Sequence, residues 1–340
     1  MKSAPPIALA AAIGLAVPVA PALAHVVSDR EVRVLQALPW SDVAAALASS
    51  WPDSAGAVAP DDASLGWSAG PQAGAMLLLM TAASRADSVA AERAWRAVDF
   101  AFVRQRRDGG FDLGRPGSSA TPRFEAAIDP GPVSLIGELG RAEIALENGP
   151  VQARFHWRVV LMLPKLRRSL DSLVAGAATI ESRGAGRPGE LMSAASCCLL
   201  GDGIYHVETI GLAGQRLLVA ALATQSKGGQ FRADSPGALA EHALALEKLQ
   251  PLVLYFPAPS LEDAEKRAAQ WLLEKMESGT KPSDWSAAPS GSGAITARRA
   301  QARALFALMH IAERSSDSGF RSRVERAVRK WVREPRTPGP

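Results

Sequence analysis

One asparagine, two tyrosines and two cysteines are all that the 340 residues contain of these types. The cysteines are adjacent, Cys197-Cys198, and a bridge between neighbours closes almost no loop, so no disulfide framework is expected. No second cysteine pair or His-x-x-x-His follows them, which removes the usual zinc patterns and leaves them as small apolar residues packed in a helix. Alternating β-branched runs are nearly absent, excluding a sheet fold. Gly-x-Ser-x-Gly, Walker and Rossmann fingerprints are missing, and no metal or other cofactor is expected. The basic stretches Lys165–Arg168 and Arg326–Arg333 read as solvated helix faces, so nucleic acid is not an expected partner.

Long apolar runs are also scarce. The first one, Ile7 to Ala20, follows a single positive charge at Lys2 and leads to Ala22-Leu23-Ala24, a small-x-small cleavage site. Residues 1–24 therefore read as a secretory signal peptide with a mature start at His25 and a periplasmic or secreted destination. The run is short and broken by Pro18 and Pro21, and no later run reaches spanning length, so no membrane span is expected in the mature chain. Removing Lys2 takes the formal charge from +4 to +3, a mild arginine excess that suits acidic ligands. Residues 25–333 are long enough for one large domain, and 334–340 read as a disordered tail.

What fills the chain is alanine, leucine and arginine at helical spacing. Helices are expected over Ser28–Ser49, Gln72–Ser84, Ser88–Arg107, Val133–Glu147, Ala153–Ile180 (kinked near Pro164) and Glu190–Leu200. A long helix with a polar start (Asp202, Tyr205, His206, Glu208) should run to about Thr224, and a second one carrying His242 should follow to about Gln250. Ser260–Glu277, Ala294–Arg314 and Gly319–Arg333 complete about eleven or twelve helices. Trp51–Pro71, Leu113–Pro132 and Lys281–Gly293 read as loops.

Two helices end in a related way: Gln105-x-x-Asp108-Gly109-Gly110-Phe111 and Gln225-x-x-Gly228-Gly229-Gln230-Phe231. A looser third copy pairs Trp271 with Gly279 and Trp285. Glycines let the chain reverse and the aromatic folds back to plug the end, which suits an array of two-helix hairpins. The Gln105–Phe111 end resembles hairpin ends of the squalene-cyclase and prenyltransferase repeat group, and equally those of secreted alginate-lyase-type polysaccharide lyases. The stretch Gly229-Gln230-Phe231 followed by Ala238-Leu239-x-x-His242-x-x-Ala245-Leu246-x-x-Leu249 is similar to the lyases' turn-then-helix segment. Tyr205-His206 stands where those lyases place an Asn-His pair. The resemblance implies an all-α fold, an (α/α) toroid forming an incomplete barrel of helical hairpins as one domain. It also implies β-elimination from an acidic polysaccharide or binding of another glycan. No Asp-x-Asp-Asp motif of the cyclases occurs.

β-Elimination needs a group to neutralise a carboxylate, a base and an acid. The residues of suitable type are Tyr205, His206 and His242 for proton transfer, with Arg216, Arg232 and Glu208 for substrate binding. Tyr205 and His206 are expected at a helix N-terminus, where free N–H groups favour an anion. His242 lies on an apolar face with Leu246 and Leu249, which also fits a core histidine. Arg216, on a largely apolar helix, requires an acid from another helix or a ligand. Other readings stay open: loop tryptophans Trp51, Trp67 and Trp285 as stacking surfaces, Phe155-His156-Trp157 as a platform, and acid pairs Asp202–Glu208 or Asp234–Glu241 for glycoside hydrolysis. A non-catalytic helical-repeat protein that binds glycan or protein is the alternative to an enzyme.

Overall fold

In a computed structural model, the structure describes residues 56, 88–112, 123–124, 152–232, 237–285 and 293–333. The expected segments at 1–24, Ser28–Ser49, Gln72–Ser84, Val133–Glu147 and 334–340 lie outside them. The described chain is all-α: α1 Ser88–Val103, α2 Gln152–Arg183, α3 Pro188–Tyr205, α4 Glu208–Ala223 and α5 Ala238–Tyr255, followed by α6 Pro259–Ser278, the single turn α7 Pro282–Trp285, α8 Gly293–Arg314 and α9 Ser318–Arg333. A two-residue ribbon pairs antiparallel, β1 Phe111–Asp112 just before the expected loop Leu113–Pro132 and β2 Arg123–Phe124 inside it. α2 continues through Pro164 as one helix.

Burial sorts the helices into two kinds. α3 is buried from Pro188 to Gly201 and α5 from Ala245 to Tyr255, on every side. Such helices must be covered all round. α4 and α6 instead bury a stripe at three- and four-residue spacing: Ile210, Gly214, Leu217, Leu218 and Ala221 on one, Leu261, Ala264, Ala268, Leu272 and Leu273 on the other. The two kinds alternate along the chain. The buried helices α3, α5 and α8 pack side by side, with α2, α4, α6 and α9 against them.

Cross-contacts give the helix directions. Gly189 at the start of α3 donates to Glu241 at the start of α5, while Leu200 and Leu254 cluster near their ends. Glu247 meets Arg303 and Gln250 meets the Ala307 carbonyl, so α8 advances with α5. Glu265 pairs with Arg314 just before α9, and Glu277 with Arg323 inside it, so α6 and α9 run the same way. Both layers therefore consist of parallel neighbours, each buried helix being entered from a partly exposed one.

The glycine-aromatic turns explain how neighbours lock. In both turns the glutamine N–H bonds back three residues (to Phe102 and Leu222), the next N–H donates to the carbonyl four residues further on (Gly110 and Gln230), and Gly109 and Gly229 N–H close on Arg106 and Ser226 carbonyls. A further turn N–H, at Gly110 or Gln230, is taken by Asp108 Oδ1 (3.0 Å) in one turn and Ser226 Oγ (3.1 Å) in the other. The glutamine amides reach the next partly exposed helix, Gln105 Nε2 to Lys165 O (2.8 Å) and Gln225 Nε2 to Ala264 O (2.9 Å). One turn further along, Gly109 and Gly229, at φ +88 and +95, sit directly on the carbonyls of Arg168 and Arg267, where any Cβ would overlap backbone. Gly56 rests on the Arg96 carbonyl of α1 in the same way. The residue whose carbonyl forms each of these three sockets is an arginine: Arg96, Arg168 and Arg267.

Gly229→Ala should cost about 2 kcal/mol or more in urea unfolding, since it combines a positive φ with a backbone clash. Gly228→Ala, with only Ser226 Oγ near its added methyl, should stay within about 0.5 kcal/mol of the parent.

Candidate functional site

The residues singled out from the sequence occupy structural posts. Tyr205 and His206 are not at a helix start: α3 runs past Gly201 and Gly203 to Tyr205, and His206 closes it in the left-handed conformation (φ 52, ψ 52). Glycine does not break this helix because Gly201 lets the Leu170 side chain lie against it. A helix C-terminus carries negative partial charge, so this end does not attract an anion through its dipole. The Tyr205 hydroxyl donates to Leu163 O at 2.6 Å. Asp202, whose carboxyl burial pushes above its usual range, accepts the Val207 N–H ahead of α4. Glu208 is the exposed first residue of α4.

Arg216 finds its acid on another helix, Glu181 of α2, in a half-exposed ion pair. Arg232 is exposed, and its backbone N–H donates to Thr224 O at 3.2 Å. Trp285, expected in a loop, ends the short α7 and is fully buried, its indole N–H donating to Thr280 Oγ1 at 2.8 Å. It has no face to offer a sugar. Trp157 is exposed on α2. Trp51, Trp67 and Asp234 lie outside the described residues. Glu241 faces α3: it accepts the Gly189 N–H, and burial, helped by Glu190, holds its carboxyl above the usual range. Cys197 and Cys198 are buried free thiols in α3, the second pushed up to about 12 by burial.

His242 is a bolt in the second turn. Its Nδ1 accepts the Phe231 N–H (3.0 Å), so Nε2 carries the proton and donates to Ala268 O of α6 (3.1 Å). The ring is fully buried between Phe231 and Trp271, with centroids 5.5 and 4.5 Å away. Burial holds it neutral, with a pKa lowered from 6.5 to about 4.

Sequence reasoning passed over a polar seam between α5 and α8. Glu247, 1% exposed, accepts from Arg303 Nε (2.8 Å) and Nη2 (3.2 Å) and from Lys248 Nζ (3.1 Å). Burial would raise its pKa, but the two cations overcome that and hold it at about 2. Gln250 and His310 continue the seam, both fully buried. The cue available in the sequence was a charged pair, Glu247-Lys248, inside an otherwise apolar helix.

The described surface has two clefts along the α6–α9 groove. The first, about 330 Å³, opens where α8 passes into α9 and is lined by Glu262, Lys266, Gln270, Asp317 and Phe320 around the Arg314–Glu265 pair. That pair is only 10% and 6% exposed, with Nη2–Oε1 at 2.6 Å, and Arg314 Nε has no hydrogen-bond partner among the described residues. The second cleft, about 310 Å³, lies near the other end of the groove between Gly279 and the Arg326–Trp331 stretch. None of the six residues chosen from the sequence lines either cleft.

Among the described residues no cluster of histidine, cysteine or carboxylate side chains is placed to hold a metal, and no helix is long and apolar enough to cross a membrane. Comparison with protein-family models, curated proteins and solved structures finds no match for the chain.

Acid should weaken the fold in two stages. The unfolded chain protonates its histidine near 6.5 while buried His242 resists until about 4, so up to about 3 kcal/mol is lost as pH falls through that window. Glu247, depressed from 4.5 to about 2, contributes stability that is present above 4.5 and lost as pH falls towards 2. Urea titrations at stepped pH should show both losses. His242→Gln should flatten the first, and Glu247→Gln should cost about 3–5 kcal/mol at neutral pH by leaving buried cations unpaired.

Proposed function

We propose that the chain is an exported (α/α) toroid that binds a glycan without cleaving it, in the cleft where α8 meets α9. Parallel buried helices alternating with parallel partly exposed ones support the toroid reading, since a ring of hairpins requires that arrangement. The signal-like residues 1–24 support export. The observation that carries the binding site is the Arg314–Glu265 pair. It is an almost fully desolvated ion pair at the wall of an open cleft that Glu262, Lys266 and Gln270 also line. Charged and amide groups beside a phenyl ring, here Glu262, Lys266, Gln270 and Phe320, match the alternating hydroxyls and C–H faces of a sugar.

Binding is favoured over elimination because two of the three candidate proton-transfer groups are engaged and the third, His206, stands exposed at the end of α3, away from the cleft lining. Tyr205 donates to backbone and His242 uses both ring nitrogens in the turn. Arg216, the candidate carboxylate partner, holds Glu181. A polysaccharide lyase remains the enzyme alternative, and a glycoside hydrolase the third.

Calorimetry with a panel of uronate, sulfated and neutral oligosaccharides should find at least one ligand. Lys266→Ala and Gln270→Ala should each weaken it about tenfold, the worth of one hydrogen bond. No increase in the ultraviolet absorbance of unsaturated sugar should accompany incubation with uronate polymers. Such an increase would restore the lyase, and a panel without any ligand would remove the binding reading.

A further inference from the structure

The third turn breaks the locking pattern. Gly279 has a positive φ like Gly109 and Gly229 (+88), yet nothing lies within 4 Å of where its Cβ would be. The turn stands off α9 instead of seating on it, and the second cleft opens there, lined by Met276, Glu277, Gly279, Thr280, Gln301, Arg326, Ala327, Lys330 and Trp331.

The chemistry of this gap is one-sided. Thr280 Oγ1 already accepts from the Trp285 indole at 2.8 Å, and Gln301 Oε1 from the Trp331 indole at 3.1 Å. Each still has hydrogens to donate, the Thr280 hydroxyl hydrogen and the Gln301 amide NH2, beside one remaining lone pair. Glu277, the carboxylate of the cleft, is engaged by both Nε and Nη2 of Arg323, which holds its pKa below the usual range. Arg326 and Lys330 sit four residues apart on α9, so two like charges share one helix face. Neither has a hydrogen-bonded or ion-paired partner among the described residues. Arg326 and Lys330 line the space together with these donors and the Trp331 ring, and Arg326 adds to the Arg323 charge that lowers the Glu277 pKa.

The geometry points to a binding site for an anionic sugar in the Gly279–Arg326–Lys330 cleft, taking its carboxylate or sulfate between Arg326, Lys330, Thr280 and Gln301. This rests on the glycan reading above and extends it by assigning the acidic group to a separate subsite. The cleft lies six residues along α9 from Phe320 of the first, about 9 Å at helical rise. One oligosaccharide laid along the groove therefore reaches both.

The test uses the full chain, calorimetry and four probes: oligogalacturonate, a sulfated disaccharide, a neutral oligosaccharide and inorganic phosphate. Arg326→Gln/Lys330→Gln is compared with Arg321→Gln/Arg329→Gln, which removes equal charge outside the cleft. Affinity for an acidic sugar should fall at least tenfold in the first double variant and within threefold of the parent in the second, with neutral-sugar affinity unchanged. A preference for galacturonate or for the sulfated sugar identifies which acidic group is taken. Equal losses in both double variants, or none in either, overturn the subsite while leaving glycan binding in place. If no sugar binds but phosphate does, and only the cleft variant loses it, the anion site stands and the glycan reading falls. If no probe binds, both fall.

Discussion

Close contact between a turn glycine and a helix carbonyl is the constraint on which the rest of this fold depends. Hairpins of helices hold together weakly through side chains alone, because a partly exposed helix buries only one stripe. Here the first two turns lean on the backbone of the next partly exposed helix, with a glutamine amide satisfying one carbonyl and a glycine resting on another a turn away. The spacing between neighbours is then set by backbone, which does not relax as a leucine would. The buried helices α3, α5 and α8 can be apolar all round because that frame holds their covers in place.

His242 shows how the same frame absorbs residues that look chemical. A histidine eleven residues after a glycine-aromatic turn resembles a catalytic segment, yet its two nitrogens join Phe231 of the turn to Ala268 of α6. The first turn meets the same demand with Ser169, whose hydroxyl donates to Gly109 O while accepting from Gln105. Neutral imidazole and hydroxyl both accept and donate, and that dual capacity is what the joint requires.

Helix positions were readable in the chain because three- and four-residue apolar spacing is a local property. Ser260–Glu277, Ala294–Arg314 and Gly319–Arg333 match α6, α8 and α9 within a residue at each end. The turns were readable too, since their glycines and glutamines recur in sequence. The junction at Tyr205–His206 was not. Gly201 and Gly203 read as a break, while the actual stop is one left-handed residue at His206, selected by the packing of α3 and α4. The ion pairs that shape the clefts were equally hidden. Arg314–Glu265 spans 49 positions and Arg323–Glu277 spans 46, and no local pattern announces such a meeting.

Because each of these two turns leans only on the helix that follows it, cohesion is passed from unit to neighbour and never shared across the whole molecule. Such arrays lose order from whichever end is least anchored. At the carboxyl end Gly279 touches nothing, so α9 is retained by its apolar stripe and by the Arg323–Glu277 pair without the backbone seat that α2 and α6 receive. The described helices are therefore held unequally, α2 and α6 by a backbone seat as well as side chains and α9 by side chains alone.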